Sequence, residues 1–356
     1  MRRFTPDALH RIGCELFEAA GCSPEDAETV VDHLVESNLF GQDAHGTLRY
    51  YEYVEKILEG TFDPKGKPVI LQDRGCTALI DGGGGFGQVS GRVAIEVATA
   101  KAREHGVGVV GLRNTSHVGR AGAYPLAAAR AGFVALVFVN AGRLGRQIAP
   151  FGGIDGKLST NPVAFAAPRP HGEPILVDMT TSVVAEGKIR MAQNKGEQVP
   201  EGWIIDSDGN PTTDPEDYLG DPPGAMLPLG GPVGYKGYGL GLIVELMGGL
   251  LGGEGTASGE RSFKSNGVLF TAYDPGFFAD KATYEREIES LIRHVTSSRP
   301  DPRFGEVLLP GELEFRTAAL RRVEGIAVDD GTWQRVSDAA RRVGLDPTKW
   351  EADVLS

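Results

Sequence analysis

The sequence predicts an α/β protein that opens with a helical part. Three observations predict it. Two helix-start signals, each followed by apolar residues at helical spacing, and a third helical run that ends at Gly60 fill the N-terminal stretch. From Val69 onward, short apolar runs alternate with helical patterns, as in a sheet covered by helices. The chain has 356 residues, 41% of them apolar, which suits two or three domains at roughly 150 residues each.

The elements follow in order. Thr5-Pro6-Asp7 is an N-cap, a proline at the first helical position and an acid in the first turn; Ala8, Ile12, Leu16 and Phe17 then recur at helical spacing. Ser23-Pro24-Glu25-Asp26 repeats the signal, with Ala27, Val30, Val31, Leu34, Val35 and Leu39 as its stripe. A third helix is expected over 48–58. Val69 to Gln72 and Thr77 to Ile80 read as strands, and Val89 to Glu104 as a helix with Ala94, Val97, Ala98 and Ala102 inward. Residues 107–112 are a buried strand, Tyr124 to Ala131 an alanine-rich helix, and Phe133 to Val139 another strand. Gly and Pro punctuate 141–170. A strand, Ile175 to Val177, ends on Asp178; a helix is expected over Thr181 to Gln193, then loops to Pro232. Gly234 to Gly253 has helical spacing but many glycines, each costing a helix roughly 1 kcal/mol against alanine. Those glycines point to close packing on the sheet or to a backbone that approaches a ligand. The C-terminal part reads as a helix (283–297), a strand-like Glu306 to Leu309 and a last helix (332–343).

A formal net charge of −12 argues against nucleic acid or an anionic membrane as partner. Three cysteines, Cys14, Cys22 and Cys76, with no C-x-x-C, fit reduced thiols in the cytoplasm. The N-terminus lacks the continuous apolar core of a signal peptide, and Tyr238 to Leu251 is too short to span a bilayer.

Gly82, Gly84 and Gly87 in DGGGGFGQ match G-x-G-x-x-G between a strand and a helix, the local order of a dinucleotide-binding turn. Such a unit wants an acid at the end of the next strand; here residues 107–112 run into Arg113-Asn114. Two of the seven histidines stand out. His45 lies between two helices in GQDAHGTLR, and His117 follows a buried strand in NTSHVGRAG. Strand ends in α/β sheets are where ligands bind. Asp178 also ends a strand, where it could equally cap the next helix. Lys236 stands among glycines. Arg, His and Asp together suit hydride transfer to a 2-oxo acid, Arg gripping the carboxylate and His handling the proton. A His/His/Asp metal site is the competing reading, without metal-ligand spacing to support it.

With these pieces assembled, the chain resembles the malate/L-lactate dehydrogenase family, which includes ureidoglycolate and sulfolactate dehydrogenases and piperideine/pyrroline-2-carboxylate reductases. DAHGTLRYYEY, DGGGGFGQ, NTSHVGRAGAY, the Ala149–Gly153 turn, STNPVAFAAP, ILVDMTTS, GWIIDSDGNPTTDP, LPLGGPVGYKGYGL and LPGE carry the resemblance, in family order from about residue 40 to residue 315. It implies a non-Rossmann NAD(P)-binding fold with a central mixed sheet and a helical N-terminal part, and homodimers whose sites draw on both subunits. The implied division is 1–75, helical and packed with the C-terminal segment; 76–265, cofactor-binding and catalytic; and 266–356, returning to the first part. DGGGGFG becomes a tight turn near the active site.

The resemblance implies roles as well. His117 is the proton acceptor, with His45 and Asp178 beside it. Arg49 binds the substrate carboxylate, and Tyr53, Thr160 and Asn161 line the substrate pocket. His117, Gly119, Ala121, Gly122, Asn140, Ala141, Asp178, Met179, Thr180 and Lys236 hold NAD or NADP, with NAD favoured and no metal. The sequence itself leaves NADH against NADPH open: a 2′-phosphate needs a cationic partner, and Arg113, Arg120, Arg143 or Arg146 could serve. Ala44 stands where the family often has serine, which leaves room for an apolar or cyclic substrate. A cyclic imine reductase is the alternative activity, and a nucleotide-binding protein without turnover the remoter one.

Overall fold

The computed structural model describes residues 1–141, 147–258 and 266–355. A short strand β1 (Arg2–Phe4) leads into α1 (Pro6–Ala19) and α2 (Pro24–Leu39). Thr5 and Ser23 cap them as expected, their side-chain oxygens accepting from the backbone N–H of Ala8 and Asp26. Each such cap is worth about 1 kcal/mol. One 3₁₀ turn, Asp43–His45, separates α2 from α3 (Leu48–Leu58). The inward faces of the three helices share one core that includes Ile12, Leu16, Val30, Leu34, Tyr50 and Tyr53.

The sheet follows. β2 (Val69–Arg74) and β3 (Thr77–Asp81) form a hairpin; α4 (Gly87–His105) crosses to β4 (Val107–Arg113), parallel to β3. α5 (Ala123–Arg130) leads to β5 (Val134–Asn140), and β6 (Val163–Ala167) and β7 (Ile175–Met179) follow. α6 (Glu186–Lys195), β8 (Ile204–Ile205), β9 (Pro211–Thr212), α7 (Pro215–Leu219) and β10 (Ala225–Met226) form a small outlying unit with its own core around Ile148, Ile189 and Ile204. α8 (Tyr235–Val244) widens into a π-helical stretch, Glu245–Leu251. The chain then returns as β11 (Gly267–Tyr273), α9 (Lys281–Thr296), α10 (Glu312–Glu324), β12 (Ile326–Val328) and α11 (Asp330–Arg342). β12 pairs with β1, and Trp333 of α11 lies on Phe4 with ring centroids 4.5 Å apart.

The seven-stranded order is β2-β3-β4-β11-β5-β6-β7, with β3 and β4 parallel and the other neighbours antiparallel. The expected mixed α/β architecture is therefore present. The register gathers several loops on one edge. Asp81 lies opposite Arg113, Val268 opposite Leu112, Gly267 opposite Asn140, Val163 opposite Phe138 and Met179. The segments holding His117, Asn140, Asn161 and Asp178 all leave or enter the sheet there.

Several elements differ from expectation. The helix expected over Thr181 to Gln193 begins at Glu186, because residues 181–184 are extended: Leu229 N–H donates to Thr181 O (2.8 Å), and Val183 N–H to Leu227 O (3.0 Å). Glu306 to Leu309 is not a strand; Leu309 N–H donates to Glu312 Oε2 (2.9 Å), which opens α10 instead. β1, β6, β11, β12 and α10 have no counterpart among the expected elements, and the stretch 200–232 holds β8, β9, β10 and α7 as well as loops. The glycines of 234–253 divide in two. A Cβ on Gly248 would lie 2.9 Å from Asn140 N, and one on Gly252 2.7 Å from Val268 N, so these allow close packing of the π-helical stretch on β5 and β11. Gly239 has open space beside it. Among the described residues no helix is long and apolar enough to cross a membrane.

Candidate active site

The glycine-rich turn is spent on the loop after β4. Gly82 and Gly84 N–H donate to the carbonyls of Arg113 and Asn114, both at 2.9 Å. Ser116 N–H donates to Gly85 O (3.0 Å), and Gly87 N–H to Ser116 Oγ (3.0 Å). A Cβ on Gly87 would meet His117 O at 2.4 Å. Donors that would cradle a phosphate at a helix start are here already taken by protein, and glycine serves close approach of backbone to backbone.

This turn and α3 hold His117 between them. Tyr53, 1% exposed, places its hydroxyl 2.7 Å from His117 Nδ1, and Gln88 Nε2 donates to the same hydroxyl at 2.9 Å. Ring packing on Phe17, Phe62 and Phe86 fixes Tyr53. The His45 ring stacks on His117 with centroids 5.3 Å apart and planes 12° apart. Arg49 lies one turn before Tyr53 on α3; its Nε donates to Ala44 O (2.8 Å) and its Nη1 pairs with Glu52. Burial, then the cation of Arg49, then His45 push the His117 imidazole well below its ordinary pKa. Burial and the cations of Arg49 and Arg120 bring His45 down to about 3. Both rings are neutral at pH 7. Burial is the largest of the influences that push Tyr53 up to about 12, so it remains a phenol.

Asp178 sits at the same edge. Its Oδ2 accepts from Gly122 N–H (3.0 Å) and from Gln42 Nε2 (3.4 Å), and lies 3.9 Å from Arg120 Nη1. It therefore does not cap a following helix. Burial raises its pKa, and Arg120 and Gly122 work against the rise. A Cβ on Gly122 would meet Asp178 Oδ2 at 2.5 Å, so that glycine is a packing requirement. Arg120 is wholly buried over the Phe40 ring (4.4 Å) and pairs with Glu36 through Nη2 (2.6 Å); among the described residues its buried Nε and Nη1 have no hydrogen-bond partner, nor does His45 Nδ1.

Asn140, Thr160 and Asn161 lie where β5 and β6 meet their loops at that same end of the strands. Asn161 is fully buried, its Nδ2 donating to Glu245 Oε1 (2.8 Å) and Gly241 O (3.2 Å), and Asn140 Nδ2 reaches Asn161 Oδ1 at 3.5 Å. Thr160 O accepts from Thr181 N–H (2.9 Å), just past Met179 and Thr180. Gly119 and Ala121 are buried in the His117 loop, and Ala141 is half-buried past β5. Lys236 is exposed on the first turn of α8 and borders a cavity of about 540 Å³ with Leu229, Gly230, Val233 and Tyr235. That cavity does not include His117. Arg120 is too buried to serve a 2′-phosphate, Arg113 lies 3.8 Å from Asp81, and Arg143 and Arg146 fall outside the described residues. Among the described residues no group of three His, Cys, Asp or Glu is placed to hold a metal.

Sequence reasoning does not single out Gln88, Gln42, Arg120 as a buried cation, or His33, whose Nε2 accepts the Arg120 backbone N–H at 2.8 Å. For Gln88 a signal exists: it ends the glycine motif on the face that α4 turns inward. For His33 the signal is its place in the apolar stripe of α2, between Val30 and Leu34.

The family model described as malate/L-lactate dehydrogenase matches residues 4–337. The chain is similar to an L-lactate dehydrogenase of Cupriavidus necator, 36% identical over 92% of this chain and 94% of the relative. It is also similar to a malate dehydrogenase of Pyrococcus abyssi, 37% identical over 96% and 95%. Among solved structures, the sulfolactate dehydrogenase of Methanocaldococcus jannaschii superposes with a TM-score of 0.88 at 34% identity, covering 98% of this chain and 99% of that one. The Δ1-piperideine-2-carboxylate reductase of Pseudomonas syringae pvar. tomato superposes with a TM-score of 0.83 at 29% identity, covering 96% and 100%.

Proposed function

The chain belongs to the malate/L-lactate dehydrogenase family, and from that premise we propose that it exchanges hydride between a nicotinamide dinucleotide and a small 2-hydroxy acid. The observation that carries this is His117: a neutral, half-buried imidazole held at Nδ1 by Tyr53, beside the Arg49 guanidinium. In the oxidising direction the substrate O–H breaks and its proton passes to His117 Nε2. Reduction returns it. Arg49 holds the carboxylate, sharing or displacing Glu52, because a guanidinium fork matches a carboxylate in two hydrogen bonds. That carboxylate offsets the cation that lowers the His117 pKa, so the histidine holds a proton more readily once substrate is bound. His45 stacks on His117 and fixes its plane. Asp178, through Gly122, ties the end of β7 to the loop that carries His117.

A bound nicotinamide supplies the hydride acceptor or donor. The residues here fit such a group: an apolar cavity carries one exposed cation, Lys236, on the first turn of α8. Gly119, Ala121, Gly122, Asn140, Ala141, Met179, Thr180 and Lys236 are the residues we assign to hold it. The burial of Arg120 favours NAD over NADP. Thr160 and Asn161 complete the pocket wall.

The assay follows loss of reduced-nicotinamide absorbance, NADH and NADPH in parallel, against pyruvate, oxaloacetate, an aromatic oxo acid and two cyclic imines. Turnover of an oxo acid is expected. Turnover of the imines alone favours the second reading, a cyclic imine reductase, which the likeness to the piperideine-2-carboxylate reductase supports. Cofactor binding with no turnover on any of them overturns both. The same reading carries a homodimer in the cytoplasm. Three free cysteines suit a reducing compartment, and Leu242, Ile243, Leu246, Leu250 and Leu251 expose an apolar face for a second copy. A monomer by sedimentation would remove the dimer.

A further inference from the structure

Gln88 is the second residue of α4 and is 1% exposed. Its Nε2 lies 2.9 Å from the Tyr53 hydroxyl, whose other neighbour is His117 Nδ1 at 2.7 Å. Its Oε1 is buried and has no hydrogen-bond partner among the described residues. Gly119, in the loop that carries His117, leaves the amide room; a Cβ there would sit 3.0 Å from Nε2.

One proton decides what this row of atoms does. A phenol donates once. With the Gln88 amide N–H toward Tyr53, the Tyr53 proton points at Nδ1, and neutral His117 carries its own proton on Nε2. With the amide turned over, Tyr53 donates to Gln88 Oε1, its oxygen accepts from His117 Nδ1–H, and Nε2 keeps its lone pair. The heavy atoms occupy the same places in both arrangements, since amide oxygen and nitrogen are nearly the same size. Each arrangement leaves one end of the amide without a partner, so neither is strongly favoured by burial alone.

We propose that Gln88 is a positioning residue: the end of its amide turned to Tyr53 decides which ring nitrogen of His117 carries the proton, and so whether Nε2 meets the substrate as acceptor or donor. This rests on the role proposed for His117. Once Nε2 has taken the hydroxyl proton, both ring nitrogens are donors. Nδ1–H then needs an acceptor, which Tyr53 oxygen provides while it donates to Gln88 Oε1. The other charged and titratable groups facing the ring do not take that part. Arg49 and Lys56 of α3 are cations, His45 of the 3₁₀ turn stacks on the ring face, and His33 of α2 accepts from Arg120.

Two variants of the full chain test this, with His117→Ala beside them, on the hydroxy acid matching the best oxo acid of the panel. Gln88→Glu presents an acceptor to Tyr53 in either orientation. It is expected to keep oxidative turnover within about threefold and to move the acidic limb of kcat/KM upward by roughly one pH unit, the equivalent of one charge-assisted hydrogen bond. Gln88→Met presents none; it is expected to lower kcat about tenfold, leave substrate KM within about twofold and move the limb downward. Nitrogen-15 histidine spectra of the substrate-free protein report the same tautomer, with Gln88→Glu moving His117 to the Nδ1–H form. Wild-type profiles in both variants, with His117→Ala inactive, overturn the role of Gln88 and leave that of His117. Equal loss of kcat in both with unmoved limbs also overturns it, since that is packing alone. Wild-type turnover in His117→Ala removes the His117 reading, and this one with it. Should Gln88→Met fail to fold, an unshifted limb in Gln88→Glu is by itself the refuting result.

Discussion

Gly87→Ala separates two uses of the glycine-rich turn. Gly87 is the first residue of α4, where alanine is the better helix former by up to about 1 kcal/mol. Propensity alone therefore predicts a gain. The added Cβ would stand 2.4 Å from His117 O and 2.6 Å from Val118 Cα, against ordinary contact from 3.4 Å, so helix or loop must shift by about 1 Å. The loop is pinned on both sides of the clash, by Ser116 N–H on Gly85 O and by Val118 N–H on Asn266 Oδ1, each at 3.0 Å. Overpacking of this kind costs roughly 1–3 kcal/mol, and one broken buried hydrogen bond adds about 1. The expected net loss is about 1–3 kcal/mol in urea titrations. Moving His117 by about 1 Å should lower kcat roughly a hundredfold. A variant with unchanged stability and kcat but a raised cofactor KM would refute this reasoning and return the turn to phosphate binding.

Three further outcomes follow from the same geometry. Arg49→Lys should raise substrate KM more than tenfold, roughly the 1.5–3 kcal/mol of a lost charge-assisted hydrogen bond; Arg49→Gln should also move the His117 limb of the pH profile upward, because the cation that lowers its pKa is gone. An unmoved limb would detach Arg49 from His117. His33, His45 and His117 are all neutral in the fold and protonate when unfolded below about pH 6.5. Their folded pKa values are lowered, so stability should fall as pH drops below 6.5, by up to about 1.4 kcal/mol per pH unit for each; a flat urea midpoint from about pH 6.5 to 5 would contradict it. Gly248→Ala should destabilise by about 1–3 kcal/mol, since its Cβ meets Asn140 N and Phe138 O, whereas Gly239→Ala, with open space, should stabilise by up to about 1 kcal/mol. Equal effects in thermal melts would place both glycines in one environment.

What is legible in the sequence is local. Caps at Thr5 and Ser23, the stripe of α2 and the buried runs of β4 and β5 are properties of neighbouring residues, and they lie near their observed bounds. β11 is not legible, although it is buried from Gly267 to Ala272 and exposed only at its last residue, Tyr273, because a short apolar run without alternation reads equally as strand or helix. β6 hides in a stretch dense in Gly and Pro. The site follows the same rule. Unusual local settings nominate His45 and His117, and the family resemblance adds Arg49, but their approach to one another depends on α3 and the glycine turn meeting across the β4 loop. Gln88 acts through Tyr53, which lies 35 positions away in sequence. No spacing rule reaches that far.

The insertion of β11 between β4 and β5 governs how a ribosome must deliver this protein. Neither β4 nor β5 has its inner neighbour until Tyr273 has left the exit tunnel. At roughly 5–20 residues per second, the wait after β4 is on the order of ten seconds or more. During that time two hydrogen-bonding edges beside the His117 loop are open to any strand that passes. Nascent chains halted before β11 should therefore be held by chaperones or aggregate, and the sheet should close in one late step rather than grow strand by strand.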